Sequence, residues 1–305
     1  MRLFALPFCL IWLALPAGAQ VPNVVTDVLP VHSLTASVMG DLGTPELLLG
    51  ATADPHDFQM RPSQARAIAD ADLVIWVGPA LTPWLADVTA SRTPERLTSL
   101  TLLAIPDLPL RIEGDSTYIA GGGKDHSVGE HDHEPEDPHI WLDPLNAIRA
   151  VDAIAGALAA ADPDNAVTYR ENAAQTAARL SALHDRLSVQ LGPARDSTLV
   201  AYHDAYRYFF TRYGLPLAGS MLPADGGSAA ARQLSELRGS LSGADYICVL
   251  SEPGANPDLI ATAMNGADHT VAELDPVGRA IAPGPAAYEE LITTLAMAIG
   301  ECARR

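Results

Sequence analysis

The chain has 305 residues, 48% of them hydrophobic but only 6% aromatic, and carries a formal net charge of −18. This length accommodates two ordinary domains with sizeable cores, and an Ala- and Leu-rich composition suits helix-rich globular structure. So acidic a chain disfavours nucleic acid and anionic membrane surfaces as partners and is compatible with cation capture.

Arg2, an apolar run from Leu3 to Leu15 and the small-residue stretch Pro16-Ala17-Gly18-Ala19 read as a secretory signal peptide, residues 1–19. The apolar core is short for a membrane span, and no cysteine follows the cleavage point to carry a lipid. Export removes Cys9 and leaves Cys248 and Cys302 as an even pair in an oxidising compartment. A disulfide closing the C-terminal region is expected, two buried free thiols being the alternative.

Residues 20–163 alternate strand and helix patterns. Val24 to Leu29 is a β-branched run, Val31 to Met39 has helical spacing with Gly40 as its stop, and Glu46 to Leu49 is a second strand candidate. A turn-rich loop then delivers His56. A helix follows at Arg61–Ala71 with Pro62 in its first turn, then a buried strand at Asp72–Val77, a helix at Pro83–Val88 and a strand at Thr101–Ile105. Alternating elements of this kind argue for a parallel-sheet α/β lobe.

The stretch Lys124–Pro144, KDHSVGEHDHEPEDPHIWLDP, holds four of the nine histidines among many carboxylates. Residues 124–138 lack apolar side chains to bury and read as a metal-attracting loop containing His126, His131 and His133. His139 differs, because Ile140, Trp141 and Leu142 follow it and can anchor it to folded structure. Asp143 and Pro144 then open a helix that runs to about Ala160. Residues 164–191 form the longest helical pattern, with Leu180, Leu183, Leu187 and Leu191 on one face, and span roughly 42 Å. This helix is a candidate link between two halves.

Residues 192–305 repeat the rhythm. Strands are expected at Thr198–Tyr202, Leu215–Leu222, Asp245–Leu250 and His269–Leu274, with helices ending at Tyr213, Ser240, Met264 and Cys302. No internal sequence repeat is visible. In open α/β sheets ligands bind at the carboxyl ends of strands. His203 and Asp275 directly follow strands, His56 ends a loop after one, and His139 stands at a helix entry. Three imidazoles and a carboxylate suit four-coordinate Zn²⁺, yet no local spacing such as HExxH or CxxC joins them.

PHDFQMRPSQ (55–64), DLVIWVGP (72–79), DPHIWLDP (137–144), YHDAYRYF (202–209), SEP (251–253) and LDPVG (274–278) occur in an order that resembles the ZnuA-type solute-binding proteins of bacterial zinc ABC transporters. The resemblance covers essentially all of the chain after residue 19. It implies two parallel-sheet α/β lobes joined by one long helix, with the metal in the cleft between them. It also implies His56, His139, His203 and Asp275 as ligands, Asp275 being the one that varies among relatives. Manganese-binding relatives typically carry Glu at the third position, so His203 favours zinc. The loop is shorter than in some members.

The expected protein is therefore a monomeric, non-enzymatic periplasmic carrier that binds Zn²⁺ and delivers it to a membrane permease. Manganese or iron uptake is the nearest alternative. A secreted zinc hydrolase is a more distant one, and adhesion is not excluded by the residues. Asp57 and Asp204 directly follow their histidines, as outer partners of the metal or as ordinary caps, and Glu252 is placed near the cleft outside the ligand set, whereas His32, His184 and His269 are expected to be structural or solvated.

Overall fold

The computed structural model describes residues 21–50, 53–56, 58–91, 97–111, 118–120 and 136–304. The expected signal peptide, Asp57 and the tract with His126, His131 and His133 lie outside the described residues.

The first lobe contains β1 (Val24–Thr26), α1 (Leu29–Met39), β2 (Glu46–Leu47), α2 (Pro62–Asp70), β3 (Leu73–Trp76), α3 (Pro83–Ala90) and β4 (Thr98–Thr101). Its sheet is all-parallel, in the order β2-β1-β3-β4. A small antiparallel pair, β5 (Pro109–Arg111) and β6 (Tyr118–Ala120), precedes α4 (Pro144–Ala161) and α5 (Ala166–Gln190). The second lobe contains β7 (Thr198–His203), α6 (Arg207–Tyr213), β8 (Leu217–Leu222), α7 (Ala231–Ser240), β9 (Ile247–Ser251), α8 (Pro257–Met264), β10 (His269–Glu273) and α9 (Ala287–Cys302). Its parallel order is β10-β9-β7-β8. In both sheets the lobe's first strand lies between its second and third. The winding repeats although the sequence does not.

Alternation along the strands explains why both faces of each sheet are covered. In β3, Leu73 and Ile75 enter the large central core while Val74 and Trp76 enter a smaller one on the opposite face. In β9, Cys248 and Leu250 face the central core while Ile247 and Val249 face outward against α7 and α8. The central core is continuous through both lobes and includes α4, α5 and α9.

Tyr169, Ala173, Thr176, Leu180, Leu183 and Leu187 of α5 are buried at alternating spacings of four and three, one face of a helix. That face packs on α4, α1 and α9, so the long helix of about 37 Å is seated against both halves. Its start is later than the pattern predicts. Pro163–Asn165 forms a 3-10 turn, fixed by Asn165 Nδ2 and Tyr169 Oη donating to Asp162 Oδ2. The strand expected at 101–105 also shifts, to Thr98–Thr101. Leu102, Leu103 and Ile105 all enter the central core, which period-two alternation forbids, and residues 102–104 turn instead. Helix α4, apolar enough by composition to cross a membrane, is half buried in this fold and packs on α1 and α5.

The chain's last helix ties the lobes together. Ser33 of α1 donates to the Pro285 carbonyl and accepts the N–H of Tyr288. Cys302 at the far end of α9 is disulfide-bonded to Cys248 in β9, as the cysteine count predicts.

Candidate metal centre

His139 is held by the segment around it. Asp137 Oδ1 lies 3.0 Å from the His139 backbone N–H and 2.9 Å from its Nδ1, so the proton sits on Nδ1 and Nε2 keeps its lone pair. Ile140 and Leu142 fill the central core, and Asp143 caps α4 by accepting from Leu145 N. The second lobe grips the same segment. Tyr208 Oη donates to the Asp137 carbonyl, Trp141 Nε1 to Pro276 O, and Tyr288 Oη to Trp141 O. Both oxygens of Asp143 receive the guanidinium of Arg212 on α6. His139, 2% exposed, is thus fixed by both lobes.

His203 is the last residue of β7. The β7–β9 register pairs Ala201 with Leu250, and continued two residues it sets His203 beside Glu252. Glu252 Oε1 lies 3.0 Å from His203 Nδ1, while the Ala224 carbonyl lies 3.0 Å from Nε2. A metal at Nε2 would have to replace the Ala224 contact. His56 comes from the loop between β2 and α2, where Asp54 Oδ1 accepts its backbone N–H. Its Nε2 is buried and has no hydrogen-bond partner among the described residues.

The three rings converge, with centroids 5.7 Å (His56–His139), 5.9 Å (His56–His203) and 5.0 Å (His139–His203) apart. One nitrogen from each lies within 4.8 Å of the others. A tetrahedral zinc ion with nitrogens at about 2.0–2.1 Å separates its donors by roughly 3.4 Å, so a small inward adjustment would let the three rings take three of its four positions.

Electrostatics divides the three. Burial, then the neighbouring His139 and His203, push the His56 pKa down to about 4. Burial and His203 hold His139 well below an ordinary imidazole. Burial also acts to lower His203, but the hydrogen bond and charge of Glu252, with smaller contributions from Ala224 O and Asp204, raise it overall. At neutral pH two rings are ready donors, and the third holds its proton more firmly.

Asp275 stands apart from this group. Its Oδ1 accepts from Val277 N and Gly278 N, and its Oδ2 from Arg279 N, so its oxygens cap the turn after β10. Gly278 takes φ +76°, and a Cβ there would lie 3.0 Å from Leu29 Cδ2 of the first lobe, which suits glycine alone to this turn. The remaining described histidines have other partners: His32 Nε2 bonds Pro45 O, His184 lies against the Tyr213 ring, and His269 Nδ1 bonds Ala267 O. Asp204 receives Arg207 Nε at 2.6 Å. Sequence reasoning did not single out Asp137 or Ala224. An Asp two residues before an anchored His is the visible signal for the first, whereas a backbone carbonyl leaves none.

The family model for the periplasmic zinc-uptake complex component A, ZnuA, matches residues 24–302. The high-affinity zinc uptake system protein ZnuA of Paracoccus denitrificans is 39% identical over 320 aligned positions, covering 95% of this chain and 94% of that one. A ZnuA crystal structure superimposes with a TM-score of 0.75 at 23% identity, over 93% of this chain and 99% of the other. The solute-binding protein FpvC of Pseudomonas aeruginosa, in complex with Mn²⁺, does so with a TM-score of 0.74 at 23% identity, over 92% and 99%. At those identities the two structures speak for the fold. The family match and the Paracoccus relative speak for descent, and this chain belongs to the ZnuA family of periplasmic zinc-uptake components.

Proposed function

We propose that this protein captures Zn²⁺ between its lobes through His56, His139 and His203 and delivers it to the permease of an ABC transporter in the inner membrane. The observation that carries the reading is the convergence of three imidazoles from two lobes, two of them oriented by carboxylates, Asp137 buried and Glu252 half-buried. Imidazole nitrogens suit zinc, whereas carboxylate-rich sites suit manganese. The shared fold does not choose the metal; the donor set does. A hydrolytic site needs an open coordination position and a free general base. Here the carboxylates beside the rings, Asp137 and Glu252, are engaged with ring nitrogens. We take the protein to be a monomeric periplasmic carrier, with the acidic stretch 124–138 as a weaker cation-attracting loop.

Competition of Zn²⁺ against Mn²⁺ on chelator-stripped protein tests this reading. One tight zinc equivalent, not displaced by a hundredfold excess of manganese, is the expected result, and displacement would move the assignment to manganese. Trp141, whose ring centroid lies 5.2 Å from that of His139, supplies an intrinsic fluorescence signal.

The protonation pattern adds a sharper expectation. Zinc needs neutral imidazoles, and of the three rings only His203 has a raised pKa. Below that pKa one proton must leave for each zinc bound. Log affinity is therefore expected to fall by about one per pH unit, not three, until His56 begins to protonate near pH 4. Calorimetry in buffers of different ionisation enthalpy reads the proton directly. A slope near three would mean that all three rings titrate together in the metal-free protein.

A further inference from the structure

Two carboxylates touch the rings of the three-histidine cluster, and they touch them in the same way. Asp137 meets Nδ1 of His139 and Glu252 meets Nδ1 of His203, each through one oxygen at about hydrogen-bond length, 2.9 and 3.0 Å. Glu252 does more. The same Oε1 receives the hydroxyl of Tyr206 at 3.2 Å, and that hydroxyl also faces the Leu274 carbonyl at 3.2 Å. Tyr206 is fully buried, and Leu274 immediately precedes the Asp275 turn. Glu252 itself is 14% exposed, directly after β9 and beside the end of β7.

We infer that Glu252 is a positioning residue of the metal site, setting the tautomer and orientation of His203, with the Tyr206 hydroxyl placed to donate to the same carboxylate or to the Leu274 carbonyl. A neutral ring that donates from Nδ1 to a carboxylate presents Nε2 as its lone pair once the Ala224 contact is given up, and hydrogen bonding to an anion makes that lone pair a stronger donor. Charge reinforces the geometry. Three neutral imidazoles leave a bound divalent ion with its full +2 in a buried site, and two adjoining carboxylates offset it. The inference rests on the three-histidine reading above, because a positioning role has meaning only if His203 is a ligand.

The test compares wild type with Glu252→Gln, Glu252→Asp, Tyr206→Phe and His203→Ala, titrated with zinc and, as a spectroscopic probe, with Co²⁺. Glu252→Gln keeps the size and an acceptor oxygen but removes the charge. Its zinc affinity is expected to fall by about tenfold to a hundredfold, with an altered visible Co²⁺ spectrum and an unchanged urea midpoint in the metal-free state. Tyr206→Phe should show a smaller loss in the same direction, and Glu252→Asp should recover part of the affinity. Zinc affinity within twofold of wild type in Glu252→Gln overturns the inference. So does a loss that follows a lowered urea midpoint while the Co²⁺ spectrum stays put, since that is merely structural. His203→Ala separates the two levels. If it abolishes tight binding while Glu252→Gln does nothing, the ligand set stands and the positioning role falls; if His203→Ala binds zinc normally, both fall.

Discussion

Replacing His203 with alanine is expected to lower zinc affinity on the order of a thousandfold or more, beyond the tenfold to hundredfold typical of groups that only orient a ligand. The reason is compound. One of three converging nitrogens is lost, and Glu252 loses its ring partner, leaving a carboxylate and the Tyr206 hydroxyl to rearrange beside the site. His139→Ala should be as severe, because it strands the fully buried Asp137. His56→Ala should cost somewhat less, since its ring has no orienting carboxylate and its loop position is less buried. Asp275→Asn is the informative contrast. Its oxygens already serve three backbone N–H groups, so a loss below about tenfold is expected, the size of an outer-shell effect. Competition against a chromophoric zinc chelator ranks all four variants. Should Asp275→Asn fall as far as the histidine variants, the turn carboxylate is a ligand, and the three-histidine shell must give way to a four-residue one.

Much of this site was legible before any coordinates, and the legible part is the part that secondary structure controls. His203 follows a β-branched run, so its place at the carboxyl end of a parallel strand could be read from pattern alone. His139 precedes Ile-Trp-Leu-Asp-Pro, and each of those residues has an anchoring contact: Ile140 and Leu142 in the core, Trp141 on Pro276 O, Asp143 as cap, Pro144 in the first turn of α4. What spacing could not supply was convergence. The three histidines meet although they come from two lobes, and the strand order that the two sheets share leaves no trace as a sequence repeat. Asp275 is instructive in the opposite direction. Its position after a strand is legible in the same way, while the three backbone N–H groups that its oxygens accept in the following turn leave no signal in spacing.

The two lobes also use equivalent positions for different ends. In the second, the ends of the first and third strands carry His203 and Glu252, the proposed ligand and the carboxylate hydrogen-bonded to it. In the first, β1 is followed by Asp27, whose oxygens accept from Val28 N and from Val77 N just past β3. Burial pushes the Asp27 pKa up to about 6, against the lowering effect of those N–H groups. That crevice is closed by a carboxylate bridging two strand ends, so the first lobe must bring its histidines from elsewhere. It does so from the β2–α2 loop and from the segment entering α4. The division explains why the ligands are so widely scattered along the chain.

Asp143→Ala is expected to destabilise the protein by about 3–5 kcal/mol, a loss typical of breaking a buried ion pair from one side. Asp143 is fully buried, caps α4 and receives Arg212 through both oxygens, at 2.8 and 2.6 Å. The lower end of the range is the better expectation, because 26% of the Arg212 side chain still meets water and can partly rehydrate. Urea unfolding measures it as a lowered midpoint with an unchanged slope. A double-mutant cycle with Arg212→Ala should give a combined loss smaller than the sum of the single ones, since the second change removes the stranded charge. Strict additivity would mean that the pair is not a pair. The consequence reaches the metal, because Asp143 lies four residues after His139, and Arg212 lies on the helix that begins four residues after His203. The ion pair therefore joins the two chain segments that carry the more buried of the three proposed ligands, His139 and His203. A protein that keeps its fold but loses this link should bind zinc more weakly even though no ligand has changed.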